Sequence, residues 1–162
     1  MKNKISLIAI LLFVIVFGTL VYIRFSYTAG SETRNDIIVK FLKDSQVFYI
    51  ATIDGEQPRV RPFAAVEIID REINICTGAF KNVYRQIQEN PNIEIVSLNK
   101  NGEWIRITAA LEDNSNDENR EIFFKTNPAL RKVYENKEDF KILKLKDVRA
   151  VLNANGKEEQ KL

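Results

Sequence analysis

The sequence predicts a mainly β domain with short helices, an α+β fold built from antiparallel strands, preceded by one transmembrane helix. Three observations carry this. An uncharged, strongly apolar run covers residues 5–23. Beyond it, short β-branched and aromatic runs are separated by the tight-turn pairs Asp54-Gly55, Asp70-Arg71 and Asn101-Gly102. Such hairpin order builds an antiparallel barrel and argues against a doubly wound parallel sheet. Helical spacing, finally, is confined to short stretches between these runs.

The first element is the anchor, residues 1–27. At 1.5 Å rise per residue the apolar run would span about 28 Å, close to the hydrocarbon core of a bilayer. Lys2 and Lys4 precede it, and Tyr22, Arg24, Phe25 and Tyr27 follow as interfacial anchors do. A cleaved signal peptide is the alternative, but its apolar region would run only about 7–15 residues, so an uncleaved single-pass anchor is favoured. Lys2 and Lys4 place the N-terminus in the cytoplasm, whereas Arg24, Arg34, Lys40 and Lys43 oppose that bias. The balance leans towards an extracytoplasmic domain.

Residues 28–35 read as a polar tether, 36–154 as the folded domain and 155–162 as a charged, frayed tail. Within the domain, Ile37, Ile38, Phe41 and Leu42 predict an amphipathic helix over 36–43. A strand over 47–53 turns at Asp54-Gly55 into an extended run, 58–69, in which Pro62 marks an edge or a bulge. Asp70-Arg71 turns into a strand over 72–76. Residues 77–82 then break the strand and lead to a helix over 83–90, stopped by Pro91. A hairpin follows, 93–100 and 103–112 around Asn101-Gly102. Helices over 118–125 and 128–134 and a last pair of strands, 140–145 and 148–152, complete the domain.

Composition excludes much chemistry. The 162 residues contain no histidine, which removes histidine-based triads, histidine metal sites and histidine-ligated haem. The single cysteine, Cys76, permits no internal disulfide and sits in an apolar run, as a packing residue would. Lys and Arg number 24 against 22 acidic residues, too slight an excess to point to nucleic acid. No metal site is expected; the acidic loop 113–117 lacks the glycine and glutamate that a calcium loop requires.

Two motifs could bind an anion. In Pro58-Arg59-Val60-Arg61-Pro62, strand alternation puts Arg59 and Arg61 on one face. Two guanidinium groups side by side repel unless an anion or a carboxylate lies between them, and arginine suits bidentate phosphate contact. A solvated edge strand is the competing account. In Thr77-Gly78-Ala79-Phe80-Lys81, a glycine-containing turn into a helix offers backbone N–H groups, a hydroxyl and an ammonium near a positive helix end. The two motifs flank one hairpin, which would set the strand ending at Cys76 beside the strand carrying Arg61, so that one anion could touch both.

Residues 51–63, the run Cys76-Thr77-Gly78-Ala79-Phe80-Lys81 through Asn90-Pro91, and Glu103-Trp104-Ile105-Arg106-Ile107 resemble, in order and spacing, the pyridoxamine 5′-phosphate oxidase-like FMN-binding split-barrel family. The resemblance covers about residues 36–152. It implies a six-stranded antiparallel split β-barrel that binds FMN at a homodimer interface and acts as a flavin-dependent oxidoreductase on a small substrate. A non-catalytic module for FMN or another phosphorylated ligand is the alternative. It further implies that Arg61, Thr77 and Lys81 contact the phosphate end; the two anion motifs add Arg59 and Gly78 as expected cofactor-binding residues. Pro62, Phe63 and Ala64 would lie along the isoalloxazine ring. Trp104 and Arg106 would border the flavin; for Trp104, core or dimer packing is the alternative. Ala64 replaces a frequent glycine, and the C-terminal substrate-binding segment of the true oxidase, with its arginine and histidine, is missing. Oxidation of pyridoxamine phosphate is therefore not expected.

Overall fold

The computed structural model describes residues 32–153 and 160–162. The expected anchor, 1–27, lies outside the described residues, as do the first four residues of the tether. Among the described residues no helix is long and apolar enough to cross a membrane. The last two tether residues, Arg34 and Asn35, belong to the first helix instead.

That helix, α1 (Arg34–Ser45), buries Ile38, Val39 and Leu42 on one face, with Asp36 in its first turn and Lys43 in its last. Both charges complement the helix dipole. Burying three such side chains contributes about 1.5–3 kcal/mol each. A Lys43–Glu67 ion pair of 2.7 Å links α1 to the sheet.

The sheet contains β1 (Phe48–Asp54), β2 (Gln57–Phe63), β3 (Val66–Ile69), β4 (Glu72–Gly78), β5 (Asn92–Leu98), β6 (Trp104–Asp113), β7 (Phe140–Asn153) and β8 (Gln160–Lys161). Its order is β2-β1-β5-β6-β7-β4-β3, with β8 added to β7, and every pairing is antiparallel. Eight strands among the described residues replace the expected six. β2 and β3 are the two ends of this path, yet only Ala64 and Ala65 separate them in the chain. Three Cα–Cα steps reach at most about 11 Å. The sheet must therefore curl until its unpaired edges approach each other at one end, as a split barrel does.

Four strand limits differ from expectation, each for a physical reason. The run 58–69 is interrupted at Ala64-Ala65, where the chain leaves one sheet edge for the other. β4 continues through Thr77 and Gly78, which pair with Lys141 and Phe140 of β7. The expected pair of strands, 140–145 and 148–152, is one strand, because the long β6 pairs with both halves. A register shift between Thr108 and Ala110 and a left-handed Asp147 (φ 52°) absorb the irregularity. Part of the expected frayed tail is ordered: Gln160 and Lys161 pair with Leu152 and Val151, and the Leu162 N–H donates to the Ala150 carbonyl at 3.0 Å.

Three further α-helices lie between strands: α2 (Asn82–Glu89) between β4 and β5, and α3 (Asp117–Thr126) and the single turn α4 (Leu130–Val133), shorter than the helix expected over 128–134, between β6 and β7. α2 places Val83, Gln86 and Ile87 inward. The Asn116 side chain caps α3 by accepting from the Asn119 N–H at 2.8 Å.

The main core lies inside the curled sheet and includes Phe48, Ile50, Ile73, Ile75, Ile95, Ile105 and Ile107. A second cluster of Cys76, Phe123, Phe124, Tyr134, Phe140 and Ile142 packs under α3 on the other side of β4 and β7. This second layer explains why β4 is buried at six consecutive positions and does not alternate.

Candidate anion and cofactor site

A cleft of about 520 Å3 opens where the two sheet edges approach each other. That volume falls within the roughly 300–1,000 Å3 usual for small-molecule sites. One wall is the end of β2, with Arg61, Pro62 and Phe63, continued by Ala64 and Ala65. Cys76 and Thr77 of β4 form the floor, Lys81 and Val83 the entry to α2, and Asn127 to Leu130 with Tyr134 the far wall. Arg61, Pro62, Phe63, Ala64, Thr77 and Lys81 are thus gathered in one place. β2 and β4 are not adjacent strands, contrary to expectation; curling of the sheet brings them together.

Thr77 is 1% exposed, and its Oγ1 is one of two buried side-chain polar atoms without a partner among the described residues. A buried hydroxyl that makes no hydrogen bond is a cost of about 1–3 kcal/mol unless a ligand satisfies it. Thr77 lines a cleft that also holds a guanidinium and an ammonium, and no carboxylate among its lining residues. This donor set fits an anion rich in acceptor oxygens. Lys81 caps α2 with extended backbone and makes no side-chain capping bond, so the positive end of α2 begins at the cleft. The Lys81 ammonium stands 5.7 Å from the Tyr134 ring centroid.

Arg61 rests on a hydrogen-bonded base that residue type and spacing did not predict. Its Nη1 donates to Thr52 Oγ1 at 2.7 Å and its Nη2 to Gln86 Oε1 at 2.8 Å. Thr52 Oγ1 in turn donates to Gln86 Oε1 at 2.8 Å. Burial, and after it the charge of Arg59, pulls the Arg61 guanidinium below its ordinary pKa. The missed signal was a polar residue at an inward position: Thr52 alternates with Phe48 and Ile50, and Gln86 follows Val83 by three. The far wall carried no comparable signal.

Four expected site residues do not line the cleft. Arg59 stands 3.6 Å from Asp54, whose carboxylate also accepts from Arg85 at 2.8 Å. Gly78 sits beside the site for steric reasons: a Cβ there would lie 2.9 Å from a Phe80 ring atom and 3.0 Å from a Tyr134 ring atom. Trp104 and Arg106 lie on β6, with the Arg106 guanidinium 5.6 Å from the Trp104 ring centroid. Arg106 lines a separate depression with Arg34, Arg149 and Lys161. Cys76 does line the cleft, but burial pushes its thiol up to about 12, which leaves it unreactive near neutrality.

Comparison with known structures agrees with this architecture. A NimC/NimA family protein from Clostridium acetobutylicum matches with a TM-score of 0.73 and 32% identity, over 77% of this chain and 88% of that one. A heme binding protein from Mycobacterium smegmatis shares the fold (TM-score 0.60, 14% identity, 75% and 57% of the two chains). So does a FAD-binding protein from Mesorhizobium loti (TM-score 0.53, 12% identity, 72% and 92%). A search of curated proteins returned no match. The family model described as pyridoxamine 5′-phosphate oxidase matches residues 35–152. With its edges brought together around an anion-suited cleft, the chain belongs to the pyridoxamine 5′-phosphate oxidase family.

Proposed function

We propose that this protein is a membrane-anchored flavoprotein that binds FMN by its phosphate in the cleft and serves as an oxidoreductase for a small substrate. The buried, unpartnered hydroxyl of Thr77 carries the reading. It lies in the cleft that Arg61 and Lys81 also line, which is the chemistry of a phosphate seat. FMN would supply hydride or single-electron transfer. The chain's own residues would bind and orient it: Arg61, Thr77 and Lys81 at the phosphate, Pro62, Phe63 and Ala64 along the ring. The apolar run 5–23 supports the anchor, and the domain would face the extracytoplasmic side.

A homodimer belongs to the same reading. Tyr49, Val60, Val96 and Leu98 are 43–64% exposed. Register makes them neighbours, with Val60 opposite Ala51, Tyr49 opposite Val96, and Leu98 opposite Trp104. A continuous apolar patch of this kind on an outer sheet face favours a second copy of the chain. Such a dimer would give Trp104 and Arg106 a route to the partner's cleft.

Absorption spectra of the purified full-length chain, with mass spectrometry of any released cofactor, test the proposal. A flavin spectrum with one released FMN per chain is expected. Changing both Arg61 and Lys81 to Ala should weaken binding by about 3–6 kcal/mol, taking about 1.5–3 for each charged hydrogen bond. Stoichiometric flavin retained by that double variant would overturn the site. A second reading, a non-catalytic flavin-binding module, is favoured by one observation: neither histidine nor carboxylate lines the cleft, and its thiol is held protonated. Reduction by a nicotinamide cofactor with turnover of an acceptor separates the two.

A further inference from the structure

The ring of hydrogen bonds beneath Arg61 joins three elements that are distant in sequence. β2 supplies the guanidinium, β1 supplies Thr52 and α2 supplies Gln86. Thr52 and Gln86 are each 2% exposed. Every acceptor in the ring is neutral. A carboxylate at either position would hold the guanidinium more tightly, since charged pairs make the stronger hydrogen bonds. It would also cancel the charge that the cleft presents. The nearest acid along β1 is Asp54, two residues beyond Thr52, and its oxygens are occupied by Arg85 and Arg59. No ion pair joins Arg61 to an acid among the described residues. Of the five N–H donors of a guanidinium, the ring uses two, on Nη1 and Nη2.

We infer that Thr52 and Gln86 are positioning residues, which fix the Arg61 guanidinium through neutral acceptors so that its full positive charge and remaining donors face a phosphate in the cleft. Arg59 supports this arrangement, because it and Arg85 pair with Asp54, which makes no ion pair with Arg61. This inference rests on the proposed FMN reading and adds to it the residues that tune the phosphate contact. It explains why a buried amide, and not a carboxylate, stands under a half-buried arginine. It also explains why a hydroxyl interrupts the apolar inward face of β1.

The test uses a pair of ligands that differ only at the phosphate. FMN and riboflavin are titrated into flavin-free full-length protein in detergent micelles, and binding is read by quenching of flavin fluorescence. Gln86→Glu keeps an acceptor in place but puts a negative charge on Arg61. FMN affinity should fall at least about tenfold, or 1.4 kcal/mol, while riboflavin affinity stays within about twofold. Thr52→Val should weaken FMN in the same selective way, and Thr52→Ser, which restores the hydroxyl, should recover it. Circular dichroism melts of the same samples establish that each variant is folded. If FMN and riboflavin weaken in parallel, Thr52 and Gln86 merely support the fold and the inference fails. It fails also if Gln86→Glu leaves FMN binding unchanged in a protein whose wild type binds FMN. Wild-type protein that binds no FMN instead refutes the parent reading, and this inference with it.

Discussion

Replacing Thr77 by Val exchanges a hydroxyl for a methyl group of nearly the same shape at a site 1% exposed. Two effects of opposite sign follow. In the flavin-free protein the Thr77 hydroxyl has no partner among the described residues, so its removal relieves a desolvation penalty of about 1–3 kcal/mol. The empty variant should melt higher than wild type, by about 3–5 °C for each kcal/mol in a domain of this size. In the loaded protein the same change deletes a charge-assisted bond to the phosphate, worth about 1.5–3 kcal/mol, so FMN should bind about 10- to 150-fold more weakly. Ligand adds stability in proportion to the logarithm of its concentration over Kd. The advantage of Thr77→Val without FMN should therefore shrink by about 1.5–3 kcal/mol as FMN saturates, and it reverses where the lost bond exceeds the relieved penalty. Circular dichroism melts across a range of FMN concentrations read both effects. A variant less stable than wild type when empty, and equal to it in FMN affinity, would refute the claim that this hydroxyl waits for a ligand.

Gly78→Ala should destabilise the domain by about 1–3 kcal/mol in urea unfolding, because the added methyl meets the Phe80 ring and the buried Tyr134 ring at 2.9–3.0 Å. Asp54 gives an acid-side prediction. The Arg85 hydrogen bond holds its carboxyl below the ordinary 3.8. Its stabilising contribution is complete at neutral pH, begins to fade as pH falls to the ordinary value, and is lost through the lower folded value. Asp54→Asn should thus lower stability at pH 7 and flatten the acid limb below about pH 4; an unchanged limb in pH-dependent melts would contradict this. Cys76, 9% exposed with a thiol pushed to about 12, should resist iodoacetamide at pH 8 in native protein and react after unfolding, as followed by mass spectrometry. For the proposed dimer, Val96→Glu with Leu98→Glu should give monomers in analytical ultracentrifugation, since paired buried carboxylates in an apolar interface are costly to desolvate.

Local features were legible where short-range chemistry decides them. Asp54-Gly55 and Asn101-Gly102 form turns with glycines at φ 63° and 79°, a conformation that a side chain resists. Pro91 ends α2 because it has no N–H to continue a helix. Arg61, Thr77 and Lys81 stood out by residue type and spacing, and they do line one cleft. Other features were legible only in part. Lys146-Asp147 looks like a turn between strands, yet pairing to β6 on both sides carries β7 through it. Thr77 and Gly78 look like the start of a loop, yet β7 extends β4 over both. In each case long-range hydrogen bonding outweighed a local breaker.

Thr52 and Gln86 signalled only a polar residue at an inward position, because nothing local names the partner such a residue meets. Arg59 and Arg61 show the converse. They are alike in sequence and share a strand face, but Asp54 lies within reach of one and the neutral pair Thr52–Gln86 within reach of the other. The amino-acid sequence by itself determined the strands' approximate places, the hairpin turns, the apolar run near the N-terminus and the absence of histidine chemistry, all matters of residue type and near-neighbour spacing. Tertiary structure alone decided that β2 and β4, distant in sheet order, meet across a cleft, and which cations face it. That outcome depends on how far the sheet curls, which the packing of α1 and the two core clusters sets through contacts between residues remote along the chain.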